Sequence, residues 1–256
     1  MLAIFKREFI SYFKSPVGYI ALALFSFISG YLFSISFDEQ YISMAANILN
    51  VCSFFIIIVP IVTMGLLSED KKRGTDVIFY TAPVKLYKVV LGKYLAAMSL
   101  FGIFFLNFAV QMIITKIFGG VVDAPVLTAS FTFFSLAFLF VAIGTFASSI
   151  SDNQIVSAIV TFVIILVIQL LPQFGTFLSS VVVSLMSIIK ISTVENVSKV
   201  RNALESAFNW LDPMQRINTA QVGILSPLSV FYCLSFAFFF LFLTYRILEK
   251  KRWSQS

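Results

Sequence analysis

The stretch SEDKKRGTDVIFYTAPVKLYKVVLGK, residues 68–93, carries nine of the chain's 30 charged side chains: Glu69, Asp70, Lys71, Lys72, Arg73, Asp76, Lys85, Lys88 and Lys93. What it leaves for the rest of the chain decides the fold. The 256 residues are 59% hydrophobic and 12% charged, with a mean hydropathy of +0.97 and 31 phenylalanines. A soluble domain carries about twice that share of charge. So apolar a chain cannot hide its surface from water, and lipid is the solvent that fits it.

Working outward from 68–93, the chain falls into long charge-free intervals. They run 23 residues from Lys14 to Asp38, 29 from Glu39 to Glu69, 22 from Lys93 to Lys116, 28 from Asp123 to Asp152, 37 from Asp152 to Lys190 and 29 from Arg216 to Arg246. Each holds the ~20 apolar residues that a membrane helix needs. The spans are placed near 16–36, 47–67, 94–115, 128–149, 155–171 and 228–246. The runs are too long for barrel strands and lack a period of two. The expected fold is therefore all-α: one polytopic membrane domain over 1–256 with six transmembrane helices. Ser26 with Gly30 and Gly144 with Ser148 set small residues one turn apart, as at helix contacts. Beyond Pro172, the 16-residue run FGTFLSSVVVSLMSII (174–189) can cross, re-enter or lie along the membrane. The first apolar run is too long for the core of a cleaved signal.

Loop charge orients such a chain. With six spans both ends share a side, which then collects thirteen Lys and Arg against five on the other. The richer side is cytoplasmic by the positive-inside rule. The expected location is the inner (cytoplasmic) membrane, with both termini in the cytoplasm. The net charge of +6 is loop charge of this kind and implies no nucleic-acid partner.

The loops are patterned. In LAIFKREFISYFKS (2–15), Leu2, Phe5, Phe9, Tyr12 and Phe13 share one arc of a helical wheel, with Arg7, Glu8, Ser11, Lys14 and Ser15 opposite. Such a helix lies in the interface, aromatics toward lipid and cations toward headgroups. In 68–93, Gly74 suits a C-cap or tight turn, Thr75 caps a short helix to about Tyr80, and Pro83 fits the first turn of the next helix. There Lys85 and Lys88 share a face, and Leu86, Val89 and Val90 meet lipid or neighbouring spans. The segment 172–227 is the long external region, with an amphipathic helix expected over 193–211.

Several chemistries are excluded. Histidine is absent, and Cys52 and Cys233 sit inside apolar runs as buried hydrophobes. The single Gly-Lys, Gly92-Lys93, has Tyr87 where a phosphate-binding loop needs glycine. The six placed spans contain no charge, which disfavours proton coupling but leaves sodium coupling open. Asn107, Gln111 and Gln169 either line a path or hydrogen-bond between helices.

The ordered set Glu69, Lys71–Arg73, Gly74-Thr75, Asp76–Tyr80, Pro83-Val84 and Gly92-Lys93 resembles the connection between spans two and three of type-2 ABC exporter permeases. FKREFISYFKSPVGYI (5–20) looks like that family's elbow helix, and IGTFASSISDNQIVSAIVTF (143–162) like its fourth-to-fifth connection. The ending LEKKRW (248–253) is most similar to the gliding-motility and copper-enzyme-maturation branch. The resemblance implies an elbow helix at 1–15, a cytoplasmic coupling segment at 68–93 and short external helices in 172–227 between spans five and six. It implies a permease without catalytic residues, paired with a second permease subunit and driven by a separate ATPase that binds ATP and Mg. It implies that Lys6, Arg7, Glu8, Glu69, Asp70, Lys71, Lys72, Arg73, Gly74, Thr75, Asp76, Pro83, Lys85 and Lys88 dock that ATPase. The competing readings are a stand-alone ion-coupled transporter or channel, and a membrane anchor for a larger complex.

Overall fold

The computed structural model describes residues 1–38, 44–75, 85–119, 122–189, 194–214, 223–224 and 226–254. Among them there are helices and turns and no strand. The helices are α1 (Leu2–Lys14), α2 (Pro16–Asp38), α3 (Met44–Cys52), α4 (Phe55–Thr63), α5 (Ser68–Lys72), α6 (Leu86–Ile117), α7 (Ala124–Ile150), α8 (Gln154–Ile189), α9 (Val194–Leu211) and α10 (Pro227–Ser254). Five are long and apolar enough to cross a membrane: α2, α6, α7, α8 and α10. The sixth candidate is bent, α3 meeting the chain from α4 onward at 55°.

The charge-free intervals found the spans, and three details differ. The stretch placed at 47–67 as one helix starts at Met44 and breaks at Ser53–Phe54. There the backbone tightens to i→i+3 bonds, Ser53 N–H to Asn50 O and Phe54 N–H to Val51 O, at 3.1 and 3.0 Å. Gln169 Nε2 donates to the Ser53 carbonyl across the break, at 3.2 Å. Second, the fifth helix does not stop at Pro172 but runs 36 residues to Ile189. A proline inside a helix removes one hydrogen bond, and apolar residues continue on both sides of it. At ~1.5 Å per residue α8 is about 54 Å long, well beyond a ~30 Å hydrocarbon core. Its C-terminal half is backed by α9: Gly175 lies under Phe208, and Ser179 Oγ donates to Glu205 Oε1 at 2.9 Å. Third, the helix placed at 94–115 starts at Leu86 and so draws Lys93 inside.

The core is phenylalanine. Phe25 of α2 stacks on Phe104 of α6 at 4.6 Å, and Phe55 of α4 meets Phe101, Phe133 and Phe140 edge-on. Each such pair contributes ~0.5–1.5 kcal/mol beyond area, which matters where lipid removes the hydrophobic drive between helices. The two small-residue pairs part company. Gly144 lets α4 close on α7, since a Cβ there falls 2.1 Å from Thr63 Oγ1. Ser26 is exposed and a Cβ on Gly30 would meet open space, so among the described residues that pair seats no neighbouring helix.

Gly144→Ala is expected to lower unfolding stability in detergent by about 1–3 kcal/mol, the usual cost of overpacking. Gly30→Ala is expected to lose nothing. Equal melting temperatures for the two variants contradict this packing.

Candidate functional site, a charge clamp at one end of the bundle

The site begins where α4 unwinds. Residues 64–67 form turns between Thr63 and Ser68, so several backbone groups lose helical partners. Ser148 Oγ of α7 accepts the amides of Leu67 and Ser68 at 2.9 and 3.1 Å. Lys93 Nζ of α6 donates to the Leu66 carbonyl at 2.5 Å. Beyond Arg73, Gly74 takes φ +67°, and Thr75 N–H returns to Asp70 O at 2.9 Å. The expected glycine turn is present. Asp76 and Pro83, assigned to docking, and the short helix to Tyr80 lie outside the described residues.

The five-residue helix α5 (SEDKK) is pinned through two adjacent side chains. Asp70 Oδ2 lies 2.5 Å from Lys93 Nζ, and Glu8 Oε1 of α1 lies 3.1 Å from the same nitrogen. The three protons of this ammonium thus have two carboxylates and a carbonyl in reach. Arg7 joins, 2.6 Å from Glu8 and 3.5 Å from Asp70, and Thr75 Oγ1 donates to Asp70 Oδ1 at 2.9 Å. Two cations and two anions balance around a lysine that is 1% exposed. Pairing is what makes such burial tolerable, and it gives geometry more than stability.

Lys71 points the other way. Its amine donates to the Ser149 carbonyl and, at 3.4 Å, to Ser151 O, at the end of α7 where the helix dipole favours a cation. It also lies 3.5 Å from Asp152 Oδ1, which Lys251 of α10 reaches at 3.3 Å. Partial burial pushes the Asp152 carboxyl up, but Lys251 and Lys71 outweigh it and hold the group below the usual carboxylate range. The Asp152 charge in this tie is complete above that range and is lost as pH falls through the depressed value. Asn153 Oδ1 accepts the Ile155 amide at 2.9 Å and caps α8. Through these contacts the two ends of the chain, α1 and the end of α10, lie at one end of the bundle.

Several residues expected to face a partner are therefore engaged within the chain. Glu8 is the clearest correction. It was placed on the polar arc of α1, yet it sits on an inward seam, Ile4–Glu8–Tyr12, at i, i+4 spacing. Tyr12 donates to the Val62 carbonyl at 2.8 Å, and Ile4 covers Gly92, where a Cβ meets Ile4 Cγ2 at 3.2 Å. Phe5, Phe9 and Phe13 form a separate aromatic ladder on the half-buried flank. Asp70 and Lys71 are likewise turned inward, while Glu69 pairs with Arg73 at 2.5 Å on the surface. Lys6, Lys72, Arg73, Lys85 and Lys88 are exposed. Leu86, Val89 and Val90 are buried against neighbouring helices.

The central residue, Lys93, reads in the sequence as the end of the charged stretch and half of the Gly92-Lys93 pair, with no inward role. Its signal was the Gly-Lys pair: glycine admits α1, and lysine reaches the carboxylates α1 and α5 bring. Two of the three polar candidates deeper in the bundle, Gln111 and Gln169, are also engaged. Gln111 bridges Ser29 and Asn47 at 2.8 and 3.1 Å and is buried inside the bundle. Gln169 serves the break at Ser53, and the Asn107 amide nitrogen is buried with no hydrogen-bond partner among the described residues.

Lys93→Met strands Glu8 and Asp70 against each other and is expected to cost roughly 3–5 kcal/mol in detergent unfolding. Arg73→Ala, which breaks an exposed pair, is expected to cost under about 1 kcal/mol. Similar losses from the two contradict the clamp.

The model of one family, described as ABC-2 family transporter protein, matches residues 2–251. No curated protein matches the chain. With its candidate spans the match makes the chain an integral membrane protein. Members of the family are membrane components of transport, generally non-catalytic, and generally work with an ATPase subunit. Matched from the start of α1 to residue 251 in α10, this chain belongs to the ABC-2 transporter family.

Proposed function

We propose that the chain is the permease subunit of an ABC exporter, moving its substrate outward when a separate ATPase binds and hydrolyses Mg-ATP. The observation that carries this reading is the double pinning of α5. Asp70 ties α5 to α1 and α6, and Lys71 ties it to the α7–α8 turn and α10. A push on so short a helix is delivered to both halves of the bundle at once. A passive loop between spans needs no such connections.

In this reading Lys6, Lys72, Arg73 and Lys88 are the charges that meet the ATPase, with Gly74 and Thr75 shaping the turn beside them. Glu8, Asp70 and Lys71 transmit the push rather than touch the partner. The clamp end is cytoplasmic, because it holds the larger share of Lys and Arg. The bent α3–α4 pair counts as one of six spans, both termini are cytoplasmic, and the membrane is the inner one. Two permease subunits pair, and the ending LEKKRW (248–253) supports the gliding-motility and copper-enzyme-maturation branch. A stand-alone ion-coupled transporter draws support from Lys93, an ionisable residue inside a helix. That amine already holds two carboxylates, which suits a fastening better than a proton carrier.

Lys72→Glu/Arg73→Glu is expected to weaken ATPase association roughly tenfold, about 1.4 kcal/mol, while membrane insertion and melting temperature stay as in the parent. Undiminished copurification and nucleotide-driven transport overturn the docking assignment.

A further inference from the structure

Beside the clamp, a half-open groove of about 620 Å³ lies between the head of α6 and the end of α10. This is within the ~300–1,000 Å³ range of small-molecule sites. Lys85 and Tyr87 form one wall, and Tyr245, Glu249, Arg252 and Trp253 the other. Leu67, Val90 and Leu248 pack together and join the two helices there.

The charge in the groove is one-sided. Glu249 is already committed, with Arg246 Nη1 at 2.7 Å and the Tyr245 hydroxyl at 3.0 Å. Lys85 and Arg252 are exposed, and neither has a carboxylate partner among the described residues. Among the described residues the groove therefore presents two cations with no carboxylate paired to them. Its aromatic rim is also exposed, Trp253 by 78% and Tyr87 by 44%. Trp and Tyr in that state belong at the headgroup level of a membrane.

A second feature continues the first. Phe238, Phe242, Tyr245, Glu249 and Arg252 recur at spacings of four, three, four and three, one stripe of α10. Phe238 and Phe242 are 74% and 50% exposed and lie deeper along the same helix. Apolar rings thus lead up to an aromatic rim and then to two cations. A soluble phosphate has no use for the lower part of this track, and a protein partner approaching from water does not reach it.

We propose that the groove is a binding site for an anionic glycerophospholipid, its phosphate held by Lys85 and Arg252 and an acyl chain lying along Phe242 and Phe238. A net negative headgroup is favoured over a zwitterionic one, because a choline group brings its own cation toward the two already present. Basic pockets between helix ends are known to serve anionic headgroups in this way. The site does not depend on the ATPase reading, only on residence in a membrane.

The test uses the full chain in mixed micelles. Trp210→Phe leaves Trp253 as the sole tryptophan, and its emission is quenched with brominated phosphatidylglycerol or brominated phosphatidylcholine. Phosphatidylglycerol is expected to quench at a mole fraction roughly 25-fold lower, about fivefold for each of the two cations. Lys85→Gln/Arg252→Gln is expected to abolish that preference while leaving quenching by phosphatidylcholine unchanged. Equal potency of the two lipids, or a preference that survives in the double variant, overturns the proposal. So does displacement of the lipid by millimolar soluble glycerol phosphate, which makes the ligand a free phosphate. A double variant that keeps the lipid preference but loses ATPase copurification overturns it in favour of a protein partner.

Discussion

A buried ammonium must find anions, and in this protein the anions come from two other segments. Lys93 sits eight residues inside α6 with almost no exposure. Taking a bare charge out of water costs several kcal/mol per ion even after relaxation. The chain avoids that cost only when α1 delivers Glu8 and α5 delivers Asp70 to the same nitrogen. One lysine therefore fixes where the first helix lies and where the short helix after the bent span lies. The unwound backbone at 64–67 is stable for the same reason, since its Leu66 carbonyl is served by that amine.

The next residue makes the arrangement useful. Asp70 and Lys71 are neighbours in sequence on one turn of helix, so their side chains diverge toward different parts of the bundle. One engages α1 and α6. The other closes the end of α7 and, through Asp152, reaches α10. The far end of the molecule is built differently. There α9 backs the C-terminal half of α8 through a glycine–phenylalanine contact and a serine–glutamate hydrogen bond, and α10 is tied to α9 by the Tyr232 hydroxyl on Leu211 O at 2.9 Å. Between the two ends lies the phenylalanine core, centred on Phe55 and Phe133 and close-packed, not fluid.

Much of this architecture was legible because lipid imposes a simple rule, namely that spans exclude charge. Counting charge-free intervals located every long helix, and the wheel of 193–211 located α9. The rule failed where geometry replaced composition. Ser53–Phe54 carries no proline or glycine, so the break between α3 and α4 had no local signal. Pro172 did carry a signal, and it misled, because one missing hydrogen bond is small beside a continuous apolar run packed against α9. In the site, the charged stretch and its glycine turn were read from residue type, but the direction of each side chain was not. Glu8 lies on the polar arc of a helical wheel drawn alone. Its inward role appears only with a partner cation on α6, and Lys93 had been counted with a loop. A wheel has no knowledge of the neighbouring helix.

The account rests on Lys93 holding α1 and α5 together, and electron–electron distance measurement tests it most directly. Spin labels are placed at Ser11 and Lys72, both exposed, in a background with Cys52 and Cys233 replaced by alanine. With Lys93 present, the account predicts one narrow distance distribution between the two helices. With Lys93→Met it predicts a broad or shifted one. A distribution that stays equally narrow and unmoved without the lysine contradicts the central claim.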